Sequence, residues 1–507
     1  MSGLQWSPRG PHSGRNHGTS PAHPTGNKRN RDQRRGGQRR RAQVAESNPR
    51  LVALDVLVAV ERDDAYANLL LRPRLDAAGV TGVDAALATE LTYGTLRLIG
   101  YYDAVIALAA HRAVTEIDTL AKNALRLGAH QLLGMRTKTH AAVNETVTVA
   151  SARGSRGAVG FINAILRRIA ERTPEQWHTE VLAAHPDPVD RMAVEHSHPE
   201  WIVRAFRDAL DIEGRTTELA ALLAADNDNP AVQLVALPGL AERDNLLAAH
   251  PETLTAEVAS PTALRLSHGD PLDFPPVREG TVRVQDAGSQ LVALALAHIT
   301  PIAAGERILD LCAGPGGKTA LLAAEALCHG ADFQANEITP ARAKLVRDAL
   351  RPLYPETELP PVTERDGREY AQQPDSFDRV LVDVPCFGLG ALRRRPEARW
   401  RKRPEDIAEL TQLQEELLAA AITATKPGGV IAYVTCSPHL AETAAVVRRV
   451  LRTHPATVLD AVETCLALAP ELDLVPRQMG EGTAVQLWPH RHGTDAMFLA
   501  LLRKPGA

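Results

Sequence analysis

Two cysteines stand just past apolar runs with the length and texture of buried strands. FDRVLVDVPCFGLG (377–390) leads into Asp383, Val384, Pro385 and Cys386, and GGVIAYVTCSPH (428–439) leads into Thr435, Cys436 and Ser437. Ligands of open parallel sheets bind beyond the carboxyl ends of the strands, so Asp383 and both thiols are expected to face one crevice. A single cysteine after a strand is ordinarily a small core hydrophobe. Two of them beside a carboxylate call for chemistry: a thiolate is a soft nucleophile once its reference pKa of ~8.5 is lowered locally.

A third run, RILDLCAGPGGKT (307–319), passes from a short apolar strand into glycines and then into the helical TALLAAEAL. Glycines at such a turn let a ligand approach the backbone, and the helix N-terminus offers unpaired N–H groups. A triphosphate-binding loop needs GxxxxGK[ST]. Here its first glycine would fall at Cys312, so that reading fails. Glu337 lies 21 residues past Gly316, after a second apparent strand, where an acid can accept from ribose hydroxyls. Asp366, in RDGREYA, sits where a third strand should end. Spacing alone leaves a dinucleotide and S-adenosylmethionine both open. The cysteines favour the second, because carbon 5 of a pyrimidine is not nucleophilic until a thiolate has added to carbon 6.

These residues need a parallel sheet to hold them, and from about residue 284 the pattern is strand, loop and helix repeated. Upstream the texture is helical. Ser47 can cap, Pro49 suits a first turn, and Leu51, Leu54, Leu57 and Val58 share a face. Further helical patterns cover 83–96, 117–133, 142–149 and 159–171, the last with Phe161, Ile165 and Leu166 inward and Arg167 and Arg168 outward. Between the two regions, HPDPVDR, HSHPEW and DNDNP supply turn chemistry, while AVQLVAL (231–237) and TVRVQ (281–285) alternate like strands. The expected architecture is multidomain: a disordered basic tail (1–45), an all-α bundle (46–178), a small α/β connector (179–283) and an α/β catalytic domain (284–507).

The chain has 507 residues and a formal net charge of −4. That total averages unlike parts, since residues 1–50 hold eleven Lys/Arg against Asp32 and Glu46. A basic tail on an acidic body leaves nucleic acid open as a partner. No apolar run approaches the ~20 residues that span a bilayer, and no apolar segment follows the N-terminal arginines as a signal peptide requires. The five cysteines form no CxxC pair, which argues against a disulfide scaffold or a metal site and for a reducing cytoplasm.

LDLCAGPGGKT, DVPCFGLG, YVTCSP and the terminal GTDAMFLA together resemble the RNA 5-methylcytosine methyltransferases of the RsmB (Fmu/Sun) type, and LTYGTLRL (91–98) and FINAILRR (161–168) resemble the NusB-like domain that precedes the catalytic part in that family. The resemblance covers nearly the whole chain after about residue 46. It implies a Rossmann-like class I domain, S-adenosyl-L-methionine as cofactor, and methyl transfer to carbon 5 of a cytosine in small-subunit (16S) rRNA through a covalent adduct. The same chemistry on tRNA, or a non-catalytic NusB-like assembly factor, are the competing expectations. The resemblance also assigns roles. Cys436 is the nucleophile, Asp383 lies near ring nitrogen 3 and the cofactor, and Cys386 assists product release. Cys312, Ala313, Gly314, Pro315, Gly316, Gly317 and Lys318 wrap the methionine part of the cofactor, Glu337 binds the ribose and Asp366 lies near the adenine. Two departures stand out: the commoner DAPCS is DVPCF here, with Val384 and with Phe387 either stacking on a base or filling space, and Glu337 replaces an aspartate.

Directly after this loop, residues 393–403 hold Arg393, Arg394, Arg395, Arg399, Arg401, Lys402 and Arg403 around Glu397 and Trp400. Bases interleaved with an aromatic suit single-stranded RNA, so the seven are expected to contact RNA. The protein is expected to be a monomer, with RNA as its partner and neither membrane nor metal.

Overall fold

Asn48 opens the first helix, Pro49–Arg62: its side chain accepts from Arg50 N and Pro49 takes the first helical position, one residue later than a Ser47 cap would set it. The computed structural model describes residues 47–154, 157–355 and 358–506, so the basic tail falls outside the described residues. Leu51, Leu54 and Leu57 are buried as the periodicity requires, but so are Val52, Ala53, Val56, Ala59 and Val60. A helix apolar nearly all round sits inside its neighbours, here Ala67–Ala78, Gly82–Arg97, Thr119–Ala129 and Thr139–Ala152, and the same core takes in Val159–Ala170. In the last of these Ile162, Ile165, Leu166 and Ile169 point inward, Phe161 is half-buried, and Arg167 and Arg168 are exposed.

The helical region runs on through Pro174–Ala184, Pro188–Glu195, Glu200–Asp211 and Leu219–Ala225, into a stretch expected as mixed α/β. Two of the turn-forming segments there are helix starts, while DNDNP follows a helix end as a turn. Asp187 accepts from Val189 N and Asp190 N with Pro188 at the first helical position, and Pro199 precedes Glu200. Only then comes a small antiparallel sheet in the order β2-β3-β1-β4, made of β1 (Val232–Ala236), β2 (Leu254–Ala256), β3 (Ala263–Leu266) and β4 (Val282–Val284).

The remaining strands are β5 (Arg307–Asp310), β6 (Asp332–Asn336), β7 (Val362–Thr363), β8 (Phe377–Asp383), β9 (Thr425–Thr435), β10 (Thr457–Val458), β11 (Arg477–Met479), β12 (Gly482–Gln486) and β13 (Phe498–Arg503). Among the described residues they form a nine-stranded sheet in the order β11-β12-β13-β9-β8-β5-β6-β7, with β10 on the other end of β13. From β9 through β7 the pairs are parallel, and β13 returns antiparallel to β9. The central strands are buried on both faces, and alternate residues join opposite cores. Ile308, Leu381, Ala432 and Val434 join one core with Ala287–His298 and Gly317–His329, whereas Leu309, Val380, Val382, Ile431 and Tyr433 join the opposite core with Ile407–Ala424. The chain winds outward from β5 through β6 to β7, then resumes at β8 on the other side. That reversal opens a crevice at the carboxyl ends of β5 and β8.

Candidate active site

Each strand bordering the crevice delivers a polar residue to its carboxyl end: Asp310 from β5, Glu337 just past β6, Asp383 from β8 and Cys436 just past β9. The loop after Asp383 brings Cys386 to Cys436, with the two Sγ atoms 3.1 Å apart and both thiols free. The Cys436 sulfur beside it and its burial push the Cys386 thiol well above its ordinary value, and either sulfur can donate to the other.

Backbone contacts fix that approach. Gly390 N donates to Cys436 O (2.9 Å), and Ala496 N donates to Gly390 O (2.8 Å). A Cβ at Gly390 would lie 2.0 Å from the Ala496 carbonyl oxygen, so only glycine permits the three loops to meet. Below them Asp286 and Asp495 are buried together and held by Arg393 and Arg394. Arg393 Nε donates to Asp495 (2.9 Å) and its Nη2 to Asp286 (3.0 Å), while Arg394 Nη2 donates to Asp286 (2.8 Å). Asp286 also caps the helix Ala287–His298, so the charge cluster ties that helix to the loops around both cysteines.

On the other side of Asp383 lies the glycine loop. Lys318 Nζ donates to Asp383 Oδ2 (2.8 Å). Burial works against its charge, but the Asp383 carboxylate holds the ammonium above its ordinary value. Gly314 N donates to Glu337 Oε2 (3.1 Å), and a Cβ there would stand 2.2 Å from that oxygen. Gly316 has φ +103°, in the left-handed region, and seats the helix start against Val346 and Ala349. Burial and then the Asp310, Asp383 and Glu337 carboxylates push the Cys312 thiol well above its ordinary value. Asp366 accepts from Arg368 N (2.9 Å) and from its guanidinium (2.6 Å), past the end of β7.

Two acids at this site escape the motif reading. Asp310 accepts from the Thr319 hydroxyl (2.7 Å), yet its Oδ1 is buried without a partner among the described residues, and burial pushes the carboxyl up to about 7. Its signal was available: an acid ending an apolar run before the glycines. Glu442, six residues past Cys436, carries none. The orphaned Asp310 oxygen, the glycine turn and Glu337 fit a ligand that brings a cation and hydroxyl donors, as the aminoacyl and ribosyl ends of S-adenosylmethionine do.

Residues 297–503 match the family described as 16S rRNA methyltransferase RsmB/F, and residues 47–171 match the NusB family. "Ribosomal RNA small subunit methyltransferase B" of Salmonella enteritidis is 33% identical over 467 residues, 90% of this chain and 98% of that one. The chain belongs to the RsmB/F family. The protein named "Putative methyltransferase Rv1407" of Mycobacterium tuberculosis is 49% identical over 456 residues, 90% of this chain and 96% of that one. The crystal structure of PH0851 shares the fold, with a TM-score of 0.73 at 22% identity over 90% of this chain and 99% of that one. RsmB/F proteins are S-adenosylmethionine-dependent rRNA methyltransferases.

In this RsmB/F chain the basic run after Cys386 is chiefly a strap that binds the helical region to the catalytic sheet, which corrects its reading as an RNA-facing patch. Arg399 is wholly buried. Its Nη1 donates to Arg97 O (3.0 Å), Ser197 O (3.1 Å) and Asn227 Oδ1 (2.7 Å), and its Nη2 to Asp226 O (2.7 Å). Arg401 donates to Val60 O (3.1 Å) and Ala65 O and lies over the Tyr66 ring. Val60, Arg97 and Asp226 lie at or just past the C-terminal turns of their helices, where carbonyls lack partners and the dipole favours cations. Glu397 does the converse, accepting from Ala67 N (3.0 Å) at the start of Ala67–Ala78. Trp400, half-exposed, packs against Gly100. Arg393 and Arg394 serve the Asp286–Asp495 cluster. Arg395 and Arg403 remain exposed, and Lys402 lies over the Phe387 ring. Phe387 itself is 3% exposed and meets Trp201 edge-to-face (centroids 6.0 Å), so it fills space.

Among the described residues no cluster could hold a metal ion, and no helix is long and apolar enough to cross a membrane.

Proposed function

We propose that this chain methylates carbon 5 of a cytosine in small-subunit (16S) rRNA, with Cys436 as the nucleophile. The observation that carries the reading is the pair of thiols 3.1 Å apart at the crevice, beside Asp383 and the glycine turn. Relatives named for small-subunit rRNA support the substrate.

The Cys436 sulfur adds to carbon 6, and the electrons of the 5,6 double bond move toward carbon 5 and the N3–C4 edge. Asp383, steadied by Lys318, faces nitrogen 3 and stabilises the charge that collects there. S-Adenosyl-L-methionine, when bound, supplies an electrophilic methyl group. Glu337 would hold it at the ribose, Asp366 would lie near the adenine, and residues 312–318 with Asp310 would receive the methionine end. A water molecule takes the carbon-5 proton, the C–H electrons re-form the 5,6 double bond, and the Sγ–C6 bond breaks with its electrons leaving on the Cys436 thiolate; Cys386 assists this release. The cytosine must leave its stack to reach Cys436, which suits an unpaired site. Exposed Arg395 and Arg403, with Lys402, are the bases of the strap still placed to meet phosphates.

The test is methyl transfer from labelled cofactor to purified 16S rRNA, small subunits and tRNA, followed by nucleoside analysis. 5-Methylcytosine in 16S rRNA supports the reading. Label confined to tRNA overturns the substrate, and label in another nucleoside overturns the chemistry.

A further inference from the structure

Glu442 is a wholly buried carboxylate that reaches the residue following each cysteine. Phe387 N, next to Cys386, donates to its Oε1 (2.9 Å), and the hydroxyl of Ser437, next to Cys436, donates to its Oε2 (2.6 Å). Gln414 closes the bracket: its Nε2 donates both to Glu442 Oε1 (3.0 Å) and to Pro385 O (2.9 Å), on the near side of Cys386. The Tyr433 hydroxyl donates to Glu442 O (2.7 Å), which pins the carboxylate's own backbone to β9. Cys386 is therefore held before and after by one connected network, and the same network holds Cys436 from behind.

A carboxylate suits this place because it is acceptor-only, with two oxygens facing two different loops. A buried network whose members are paired rigidifies what it joins. We propose that Glu442 is the positioning residue that sets the separation and facing of the Cys386 and Cys436 thiols. It touches neither sulfur and acts through Phe387 and Ser437. The proposal rests on the reading that the two cysteines divide the chemistry, but the distance it sets can be read without RNA or cofactor.

The experiment compares wild type, Glu442→Ala and Glu442→Gln. Diamide takes the two thiol hydrogens as the Sγ–Sγ bond forms, so its rate of joining Cys386 to Cys436, followed by mass spectrometry, measures their approach. Methyl transfer is measured in parallel. Glu442→Ala is expected to slow disulfide formation and lower kcat by about tenfold or more, since a misplacement of ~1 Å can cost up to 10²-fold. KM for RNA and the Kd for S-adenosylmethionine are expected to stay within about twofold. Glu442→Gln keeps an acceptor for Phe387 N and a partner for Ser437, and is expected to recover most of both rates. Unchanged disulfide formation in Glu442→Ala overturns the proposal, and so does a Gln variant as slow as the Ala variant. Should Glu442→Ala not fold, Ser437→Ala, which removes the link from Glu442 to the Cys436 loop together with the long bond from His439 N (3.3 Å), decides: slower oxidation supports the proposal and an unchanged rate overturns it. Normal thiol coupling in a chain that methylates no RNA leaves the positioning intact and counts against the functional reading alone.

Discussion

Cys386 Sγ lies 3.1 Å from Cys436 Sγ although fifty positions separate them in the chain. Parallel pairing of β8 with β9 sets Asp383 opposite Val434, and the loops that follow fold back on one another through Gly390 and Ala496. The sheet supplies the direction of approach, while the loop contacts supply the last ångströms.

Arg399→Ala is expected to destabilise the protein by about 3–5 kcal/mol, the usual cost of removing one member of a buried charged network. Three backbone carbonyls and Asn227 lose their donor. Denaturant unfolding measures the loss. Limited proteolysis should show the helical region released from the catalytic sheet. Arg403→Ala, exposed, should change stability by no more than about 0.5 kcal/mol while lowering RNA affinity and the salt slope by about one charge. Equal stability of the two variants would contradict the strap.

Phe387→Ala should cost about 3–5 kcal/mol through lost packing against Trp201 and its cluster. Phe387→Leu should cost less than about 1.5 kcal/mol. If Phe387 stacked on a base instead, both variants would weaken RNA binding with stability unchanged, which titration and thermal unfolding together would reveal.

Asp310 gives stability a pH dependence of definite sign. Its folded carboxyl titrates at about 7 against an ordinary 3.8, so between those values the folded state holds a proton that the unfolded state has lost. The contribution is full below about pH 4 and is lost as pH rises through about 7. Its size is of order 4 kcal/mol at about 1.36 kcal/mol per unit. Unfolding free energy measured from acid to mildly alkaline pH should fall less steeply in Asp310→Asn than in wild type. Identical slopes would contradict the buried, raised carboxyl.

The positions of Asp383, Cys386 and Cys436 were readable from the sequence because each lies at or just past a continuous apolar run, the mark of a strand buried on both faces, at the end where ligands of open sheets bind. Residues whose role depends on docking were not readable. Arg399 meets its acceptors only once three helices present their C-terminal turns to it, so its neighbourhood of bases and one tryptophan looked like an RNA surface. Pro188 and Pro199 read as turn residues, yet proline suits the edge of a helix as well as a loop, and only packing decides between them. Glu442 had no periodic or spacing signal, because its contacts run to Phe387, Gln414 and Ser437 across separate elements.

The division of labour between the cysteines is tested most directly by incubating Cys436→Ala and Cys386→Ala with rRNA and labelled S-adenosylmethionine, then separating protein and RNA under denaturing conditions. Cys386→Ala should accumulate a stable protein–RNA adduct that carries label, and Cys436→Ala should form neither adduct nor methylated RNA. Turnover that survives in Cys436→Ala, or an adduct formed by that variant, would contradict the assignment of Cys436 as the nucleophile.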